Sequence, residues 1–449
     1  MEKGQKYRAS FLTLGCRVSQ YETEAIRERM LSLGFCDTER GECADCVLIN
    51  TCTVTAEADR KSAKAIRRAI RENPNAVILV IGCYSEASSE EVAAIPGVSY
   101  VSGTADKMKA AEEALRLLRL RDKRKEGEKM PPPIVSVAPL AGASYEPMRI
   151  THPPRPRTRA YVKIADGCDW RCAYCAISAA RGPVRSRPPH EIVDEVKRLA
   201  EGGTREVVLT GIETASYGRD LRGYRLIDLM EEVDRLPIER LRLGSLTPEV
   251  LTDEFIARAS RLRKLMPHFH LSLQSGSDEV LRLMRRRYTA KAAMRSIEKL
   301  RAVIPNLQLS ADIIVGFPSE SKENFAETMA FAEKANFLHM HIFSYSKRRG
   351  TPAADFEGQV PNSEKKERNA ALTALGERMR DGILQKAIDR GTPLPVLFES
   401  CEGGSFSGHT DSFLSVLAEG KSDRRGTVGF VIPTGMRDGF LIGKIKNDI

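Results

Sequence analysis

The chain has 449 residues, enough for about three domains of ordinary size. With 42% hydrophobic and 29% charged residues it has a globular composition, which excludes an intrinsically disordered chain. A net charge of +10, from 70 basic and 60 acidic residues, favours a polyanionic partner. No apolar run approaches the roughly 18 residues of a membrane span, and the N-terminus does not resemble a signal peptide. We therefore expect a cytoplasmic protein without a membrane partner.

Residues 1–120 alternate short apolar segments with segments of helical period. The apolar segments begin at Phe11, Val47, Val77 and Val98. This alternation predicts an α/β domain with a parallel, doubly wound sheet. Residues 121–153 are rich in proline and basic residues, which indicates a linker or a strap along the surface rather than part of a core.

Residues 154–390 alternate again and predict six β–α units, which indicates a parallel barrel or an incomplete one. The six strand segments begin near Tyr161, Glu206, Leu241, His268, Leu307 and Leu338. Residues 391–449 change character, with short β segments separated by glycine and aspartate. That pattern predicts a small antiparallel β-barrel at the C-terminus.

Ten cysteines in a chain without an export signal indicate metal or redox chemistry rather than disulfides. Three of them, Cys168, Cys172 and Cys175, follow the first barrel strand with the spacing Cys-x3-Cys-x2-Cys and are called the cysteine loop below. Three thiolates can hold three irons of a [4Fe-4S] cluster and leave the fourth iron open. S-adenosylmethionine (SAM) can chelate that iron, and electron transfer then cleaves a carbon–sulfur bond to give a 5′-deoxyadenosyl radical. A zinc loop is the alternative, but zinc usually takes four ligands and no fourth Cys or His lies nearby in sequence.

Cys16, Cys52 and Cys83 each come at the end of an apolar strand segment and are called the strand-end triad. The carboxyl ends of parallel strands share one edge of a sheet, so we expect these thiols to converge and to hold a second [4Fe-4S] cluster with one exchangeable iron. The alternative is that they are ordinary buried thiols. We assign no role to the remaining cysteines, Cys36, Cys43, Cys46 and Cys401.

Several blocks of the sequence resemble the radical SAM methylthiotransferase family. They lie at 13–23, 50–62, 82–86, 168–182, 270–278, 311–318 and 408–413, and so span nearly the whole chain. The resemblance implies a partial (β/α)6 radical SAM barrel, a C-terminal TRAM domain that binds RNA, SAM, and two [4Fe-4S] clusters. It also implies an electron donor and a sulfur donor as partners. Two segments beside the expected SAM site, 176–182 and 211–213, depart from the usual family pattern.

The block around Cys16 is most similar to the branch of the family that converts threonylcarbamoyladenosine at position 37 of tRNA, in the anticodon loop, to its 2-methylthio derivative. Sister branches act on isopentenyladenosine in tRNA or on an aspartate of a ribosomal protein. A non-catalytic iron–sulfur protein that binds RNA is a further alternative.

Strand ends of the predicted barrel supply the candidate SAM contacts: Glu213, Ser272, Gln274, Asp312 and Gly316. Glu213 can instead be a helix N-terminal acid, and Ser272 and Gln274 can be ordinary strand packing. Gly316 is expected to allow close approach of the adenine.

Arginines near the barrel mouth are the best-placed candidates for tRNA phosphates: Arg181, Arg185, Arg187, Arg285, Arg286 and Arg287. Two other basic segments are weaker candidates, namely the strap with Arg155, Arg157 and Arg159 and the helical segment from Arg60 to Arg71. The C-terminal segment is nearly neutral, so its role in binding RNA depends on the resemblance.

Overall fold

The computed structural model describes residues 7–38, 42–125, 131–152, 158–420 and 423–446. Along the chain it places a parallel sheet, an open barrel and a small closed barrel, which confirms the predicted fold class. No helix in the described part of the chain is long and apolar enough to cross a membrane.

The N-terminal sheet has six parallel strands in the order β2-β1-β3-β4-β5-β6. The central strands are buried along their whole length, so they read as continuous apolar runs in the sequence. Apolar clusters cover both faces of the sheet, as a doubly wound fold requires. The strands are β1 (Arg8–Thr13), β2 (Cys36–Asp37), β3 (Cys46–Thr51), β4 (Val77–Gly82), β5 (Val98–Ser102) and β6 (Ile134–Ser136), and the helices are α1 (Arg17–Ser32), α2 (Ala56–Glu72), α3 (Cys83–Ala87), α4 (Ser89–Ala93) and α5 (Lys109–Asp122).

The segment predicted as a linker contributes to two cores, so that interpretation was wrong in part. Its residues Ile134–Ser136 form β6, which pairs with β5. Further on, Met148 and Ile150 are buried in the core of the central domain. A strand of three residues between prolines is too short to show a hydrophobic pattern in the sequence. Its strand conformation is stabilised by pairing with β5, which the local sequence does not reveal.

The central domain is a barrel that stays open on one side. Strands β10-β9-β7-β8 form one sheet and β11-β12-β13 another, and a bridge between Leu246 and Leu271 joins them. Among the described residues no pairing joins β7 to β13, which leaves a lateral opening between the first and last strands. The strands are β7 (Arg159–Asp166), β8 (Arg185–Ser186), β9 (Glu206–Gly211), β10 (Arg240–Leu243), β11 (His268–Gln274), β12 (Gln308–Val315) and β13 (His339–Ser344).

Helices cover the outside of this barrel, so side chains alternate between the outer core and the inner face of the barrel. On β11, Phe269, Leu271 and Leu273 pack in the core, which places His270 and Ser272 on the inner face. The helices are α6 (Ile177–Arg181), α7 (Pro189–Glu201), α8 (Leu226–Asp234), α9 (Asp253–Ala259), α10 (Asp278–Leu283), α11 (Ala290–Val303), α12 (Lys322–Ala335) and α13 (Asn362–Arg390), with short 3-10 turns at Thr214–Ser216, Pro248–Val250 and Pro352–Asp355.

The C-terminal strands close into a barrel in the order β14-β15-β16-β18-β17. Neighbouring strands are antiparallel except β16 and β18, which run parallel. The barrel packs against the central domain through Phe413, whose ring stacks on His268 with centroids 4.6 Å apart. Arg242 donates to the Thr410 carbonyl at 2.8 Å and strengthens the same contact. The strands are β14 (Leu394–Glu402), β15 (Ser405–Thr410), β16 (Ser415–Glu419), β17 (Val428–Arg437) and β18 (Phe440–Ile445).

Candidate active site

The cysteine loop begins where β7 ends, at Asp166. Gly167 turns the chain with φ 77°, and a Cβ there would lie 1.9 Å from the Pro183 carbonyl oxygen, so only glycine fits. The Cys175 sulfur accepts a hydrogen bond from the Ile177 amide at 3.3 Å. Burial raises the pKa of Cys168 to about 12, and the neighbouring thiols Cys175 and Cys172 add to that shift. Such thiols lose their protons when a metal binds, because a cation stabilises the thiolate.

A cavity of about 260 Å³ lies beside the cysteine loop at the carboxyl ends of the barrel strands. It brings together the three loop thiols and four of the five residues predicted to contact SAM, namely Glu213, Ser272, Gln274 and Asp312. Trp170 also lines it, and its indole N–H is buried without a partner among the described residues. The cavity therefore combines a thiol end with groups that can hold a polar ligand.

Glu213 has both of the roles that the sequence left open, since it caps a helical turn and also lines the cavity. Its carboxylate accepts a hydrogen bond from the Ala215 amide at 3.2 Å and so caps the turn Thr214–Ser216. It also faces the cavity, where burial raises its pKa to about 7 against the opposing effect of Arg286. A carboxyl group poised in this way can accept a proton from an ammonium group or release one.

Asp312 has two histidine neighbours, one of which the sequence analysis did not identify. His270 and His341 lie 3.1 and 3.2 Å from its carboxylate. Burial raises the pKa of Asp312, but the hydrogen bonds from both histidines outweigh burial and hold that pKa below its ordinary value. The three ligand atoms lie within 4.8 Å of one another, which is compact enough for a single ion. The alternation along β13 was the signal for His341, since it places every second residue on the inner face.

Gly316 is not among the residues that line the cavity, and its contact with adenine stays a prediction. Its close neighbour is Lys365 of α13, whose Cγ would lie 2.3 Å from a Cβ at this position. Its amide donates to Glu320 at 2.6 Å, and φ is 69°. The glycine therefore serves a tight turn beneath α13.

The strand-end triad gathers at one edge of the N-terminal sheet. Register pairs Thr51 of β3 with Gly82 of β4, so the next residues, Cys52 and Cys83, are neighbours. Cys16 precedes α1 and is exposed. Burial raises the pKa of Cys52, and the nearby Cys16 thiol adds to it. Burial also raises the pKa of Cys83 to about 11, although Arg181 opposes that shift.

Arg181 is fully buried, which contradicts its prediction as an RNA contact. Its Nε–H donates to the Cys83 sulfur at 3.1 Å, and its Nη1–H donates to Glu22 at 2.6 Å. The buried cations Lys107 and Lys163 share the same Glu22 carboxylate at 2.8 Å. The sequence could not reveal this network, because its members come from both domains.

Arg187 is also buried and pairs with Glu195, and Arg185 is buried as well, so both contradict their RNA assignment. The Arg185 Nη1–H donates to the carbonyls of Arg181 and Pro183 at 2.9 and 3.1 Å. The side chain therefore braces the turn after the cysteine loop and has no surface left for a phosphate.

The N-terminal domain contributes to the wall of the central cavity. Val54 and Thr55, which follow Cys52, line the central cavity. Arg348 fastens the contact by donating to Asp59 at 2.6 Å. The cavity wall thus includes a segment that lies next to Cys52 of the strand-end triad.

Three candidate phosphate contacts at 285–287 have different environments. Arg285 and Arg287 are exposed, whereas Arg286 donates to the Cys172 sulfur at 3.4 Å and to the Ser272 carbonyl at 2.7 Å. Arg287 lies over the Trp170 ring, 4.7 Å from its centroid. Arg285 and Arg287 therefore remain available for RNA, while Arg286 belongs to the cavity wall.

The other basic candidates also have different environments. Arg155 and Arg157 lie outside the described residues, and Arg159 pairs with Glu206 at 3.3 Å. On α2, Arg60 and Arg68 form exposed ion pairs along the helix, as a solvated helix would.

The spacing of the thiols distinguishes a cluster from a single zinc ion. In the described chain neither cysteine triad has its sulfurs all within 4.8 Å of one another. Zinc–sulfur bonds of about 2.3 Å keep ligand sulfurs within about 4.6 Å of each other. Both triads are wider than that, and a cubane holds its cysteines further apart because each binds a different iron. Three thiolates at each site are the donor set of a cubane with one open iron, whereas zinc usually takes four ligands.

Comparison with known proteins gives the family. Residues 162–332 match the family model described as Radical SAM superfamily, and residues 8–103 match Uncharacterized protein family UPF0004. A Bacillus subtilis protein named threonylcarbamoyladenosine tRNA methylthiotransferase MtaB is 39% identical, over 93% of this chain and 92% of its own. A tRNA-2-methylthio-N(6)-dimethylallyladenosine synthase of Akkermansia muciniphila is 32% identical, over 93% and 94%.

Among solved structures, the radical S-adenosylmethionine methyltransferase TsrM of Kitasatospora setae has a similar fold. Its TM-score is 0.56 at 16% identity, over 78% of this chain and 77% of that one. This likeness concerns the fold alone, whereas the relatives above align over nearly the whole chain. The chain belongs to the radical SAM methylthiotransferase family and is similar to its MtaB branch.

Proposed function

We propose that this chain adds a methylthio group to carbon 2 of threonylcarbamoyladenosine at position 37 of tRNA. The observation that carries the proposal is the presence of two thiol triads, one of which lines the cavity, while in the other Cys52 is followed closely by the lining residues Val54 and Thr55. One triad alone would suit many radical enzymes, but a second in the N-terminal domain suits the delivery of sulfur. The relative with 39% identity carries this substrate in its name.

In this proposal Cys168, Cys172 and Cys175 hold one [4Fe-4S] cluster, and Cys16, Cys52 and Cys83 hold the other. When bound, SAM and the first cluster supply a radical able to take hydrogen from an aromatic C–H, which acid–base catalysis leaves untouched. Glu213, Ser272, Gln274 and Asp312 bind and orient SAM from the strand ends. The exposed Arg285 and Arg287 hold phosphates of the anticodon loop.

An electron donor and a sulfur donor complete the proposed reaction, which takes place in the cytoplasm with tRNA. The decisive experiment is mass spectrometry of tRNA nucleosides from a deletion strain. We expect 2-methylthio-threonylcarbamoyladenosine to disappear and to return when the gene is restored. Loss of the isopentenyl derivative instead would assign the chain to the sister branch, whose relative is 32% identical.

A second experiment separates an enzyme from a non-catalytic iron–sulfur protein that binds RNA. Anaerobically reconstituted protein should hold about eight irons and cleave SAM when reduced. We expect Cys175→Ala to abolish SAM cleavage and Cys83→Ala to retain it but lose methylthiolation. Cys401→Ala, far from both triads in sequence, is the matched control and should behave as wild type. Full methylthiolation by Cys83→Ala would remove the strand-end triad from the mechanism.

A further inference from the structure

Arg17 lies at the point where the strand-end triad meets the open barrel. It directly follows Cys16 and is the first residue of α1, a helix that packs against β7. Its guanidinium lies over the ring of Tyr161, 5.8 Å from the centroid. Tyr161 alternates with the core residues Ala160 and Val162, so it belongs to the inner face of β7. Arg17 therefore reaches from the N-terminal domain toward the inside of the barrel.

The positive charge of Arg17 is also close to the histidines of the inner face. Burial lowers the pKa of His268, and the charges of Arg242 and Arg17 contribute to that shift. The first turn of α1 contains no acidic residue, and a cation at this end of a helix is disfavoured by the helix dipole. Helix stability therefore does not account for an arginine at this position.

Within the described chain no carboxylate lies at ion-pair distance from Arg17, whereas several other cations of the two domains are paired. Lys163 pairs with Glu22 and Asp166, as does Arg181. Arg159 and Arg242 pair with Glu206, and Arg348 pairs with Asp59. A stacked guanidinium keeps the N–H groups along its edge free, so Arg17 can still bind a carboxylate through two hydrogen bonds.

The proposed substrate carries such a carboxylate. Threonylcarbamoyladenosine ends in the carboxylate of its threonine, whereas isopentenyladenosine has a neutral hydrocarbon at the same nitrogen. Carbon 2 and the substituted carbon 6 flank the same ring nitrogen of adenine. A base that presents carbon 2 to a sulfur at Cys16 would therefore bring its substituent close to the residue that follows Cys16, which is Arg17.

We infer that Arg17 binds the carboxylate of the threonylcarbamoyl group and thereby selects this substrate over an uncharged one. The inference rests on the proposed function and adds the residue that determines specificity. The inference also explains why a basic residue follows Cys16, since at this position neither an ion pair nor the helix dipole stabilises an arginine.

The test uses full-length, reconstituted protein with three tRNA substrates: one with threonylcarbamoyladenosine, one with its methyl ester, and one with isopentenyladenosine. We expect Arg17→Met to lower kcat/KM on the first substrate by about 10- to 100-fold, the value of one hydrogen-bonded charge pair, mainly through KM. The kcat/KM of wild type on the methyl ester should be as low as that of Arg17→Met on the acid. Arg17→Lys should restore part of the preference for the acid over the ester. Arg29→Met, an exposed arginine on the same helix, is the matched control.

Iron content and SAM cleavage without tRNA are measured for every variant, so that damage to the cluster beside Cys16 is distinguished from loss of recognition. If Arg17→Met loses iron, Arg17→Gln, which keeps a polar side chain, takes its place. A variant that retains iron and still prefers the acid to the ester as strongly as wild type overturns this inference alone. Wild-type protein that modifies only isopentenyladenosine overturns the proposed function together with the inference.

Discussion

Arg181 shows how one buried side chain can serve the chemistry of another domain. It extends from α6 of the central domain to the Cys83 sulfur of the N-terminal sheet. Its network contains the cations Lys107, Lys163 and Arg181, with Arg185 at 3.9 Å from Asp166, and the carboxylates Glu22 and Asp166. Positive charge exceeds negative charge in this network, and the Arg181 N–H at the sulfur favours the Cys83 thiolate, the form that binds iron.

Replacing Arg181 by methionine should therefore affect the second cluster more than the fold. Lys107, Lys163 and Arg185 still neutralise Glu22 and Asp166, whereas the Cys83 thiolate loses its N–H donor and the nearest positive charge. We expect reconstituted Arg181→Met to hold about four irons per chain instead of about eight while it still cleaves SAM. Iron analysis and electron paramagnetic resonance of the reduced protein provide the measurement.

Arg187→Met is the matched control for this prediction. Arg187 is equally buried, pairs with Glu195 at 2.7 Å, and has no contact with a thiol among the described residues. We expect a lower melting temperature with an unchanged iron content. Equal iron loss in both variants would mean that Arg181 acts through folding rather than through Cys83.

At the scale of single elements, the loop between β7 and α6 presents an aromatic surface next to the cavity. Trp170 lies within this loop, with Arg219 at 4.3 Å and Arg287 at 4.7 Å from its ring centroid. Both arginines are exposed, and in the described chain neither has a carboxylate partner. Charged groups held on an aromatic ring beside an active site are suited to phosphate contacts.

The double variant Arg219→Ala/Arg287→Ala should weaken tRNA binding without changing the cavity. Each lost phosphate contact lowers the slope of log affinity against log salt by about 1. Binding titrations at several salt concentrations measure this, with SAM cleavage in the absence of tRNA expected to stay constant. Arg282→Ala, an exposed position on α10, is the control, and a slope unchanged from wild type in the double variant would exclude these arginines from the interface.

At the scale of the whole molecule, charged groups fasten the C-terminal barrel to the central domain. Glu399 of β14 pairs with Arg159 of β7 and lies 3.1 Å from His409. Burial raises the pKa of Glu399, but the hydrogen bond from His409 and the charge of Arg159 outweigh burial and lower it. A carboxyl whose pKa is lowered by folding stabilises the folded state above its unfolded pKa, and that contribution is lost as the pH falls through the folded value.

Glu399→Gln should therefore destabilise the protein at neutral pH and not in acid. We expect a melting temperature lower by about 2–4 °C, the shift that about 1 kcal/mol produces in a domain of this size. The difference should shrink as the pH falls below the ordinary glutamate pKa of about 4.3. Thermal unfolding followed by circular dichroism across this range is the measurement. Glu402→Gln, exposed on the same strand, should show no such dependence, and a constant difference for Glu399→Gln would contradict the ion-pair explanation.

Several features could be predicted from local sequence because they depend on near neighbours. Cys168, Cys172 and Cys175 share one loop, so their spacing alone places them together. Cys52 and Cys83 follow buried parallel strands, and such strands end at a common edge. Glu213 and Ser272 reached the cavity for the same reason, since each stands at a strand end.

The sequence by itself determined the order of the three domains and identified the two cysteine triads. Both depend on hydrophobic periodicity and short spacings, which are local properties of the sequence. Only the tertiary structure decided which arginines are exposed and available for RNA. Arginine is usually a surface residue, but Arg181 and Arg185 are buried by segments that are distant in the chain. The tertiary structure also decided that Ile134–Ser136 is a strand and that Arg17 faces the open barrel. Burial and pairing between distant segments depend on how whole domains pack, and no short stretch of residues carries that information.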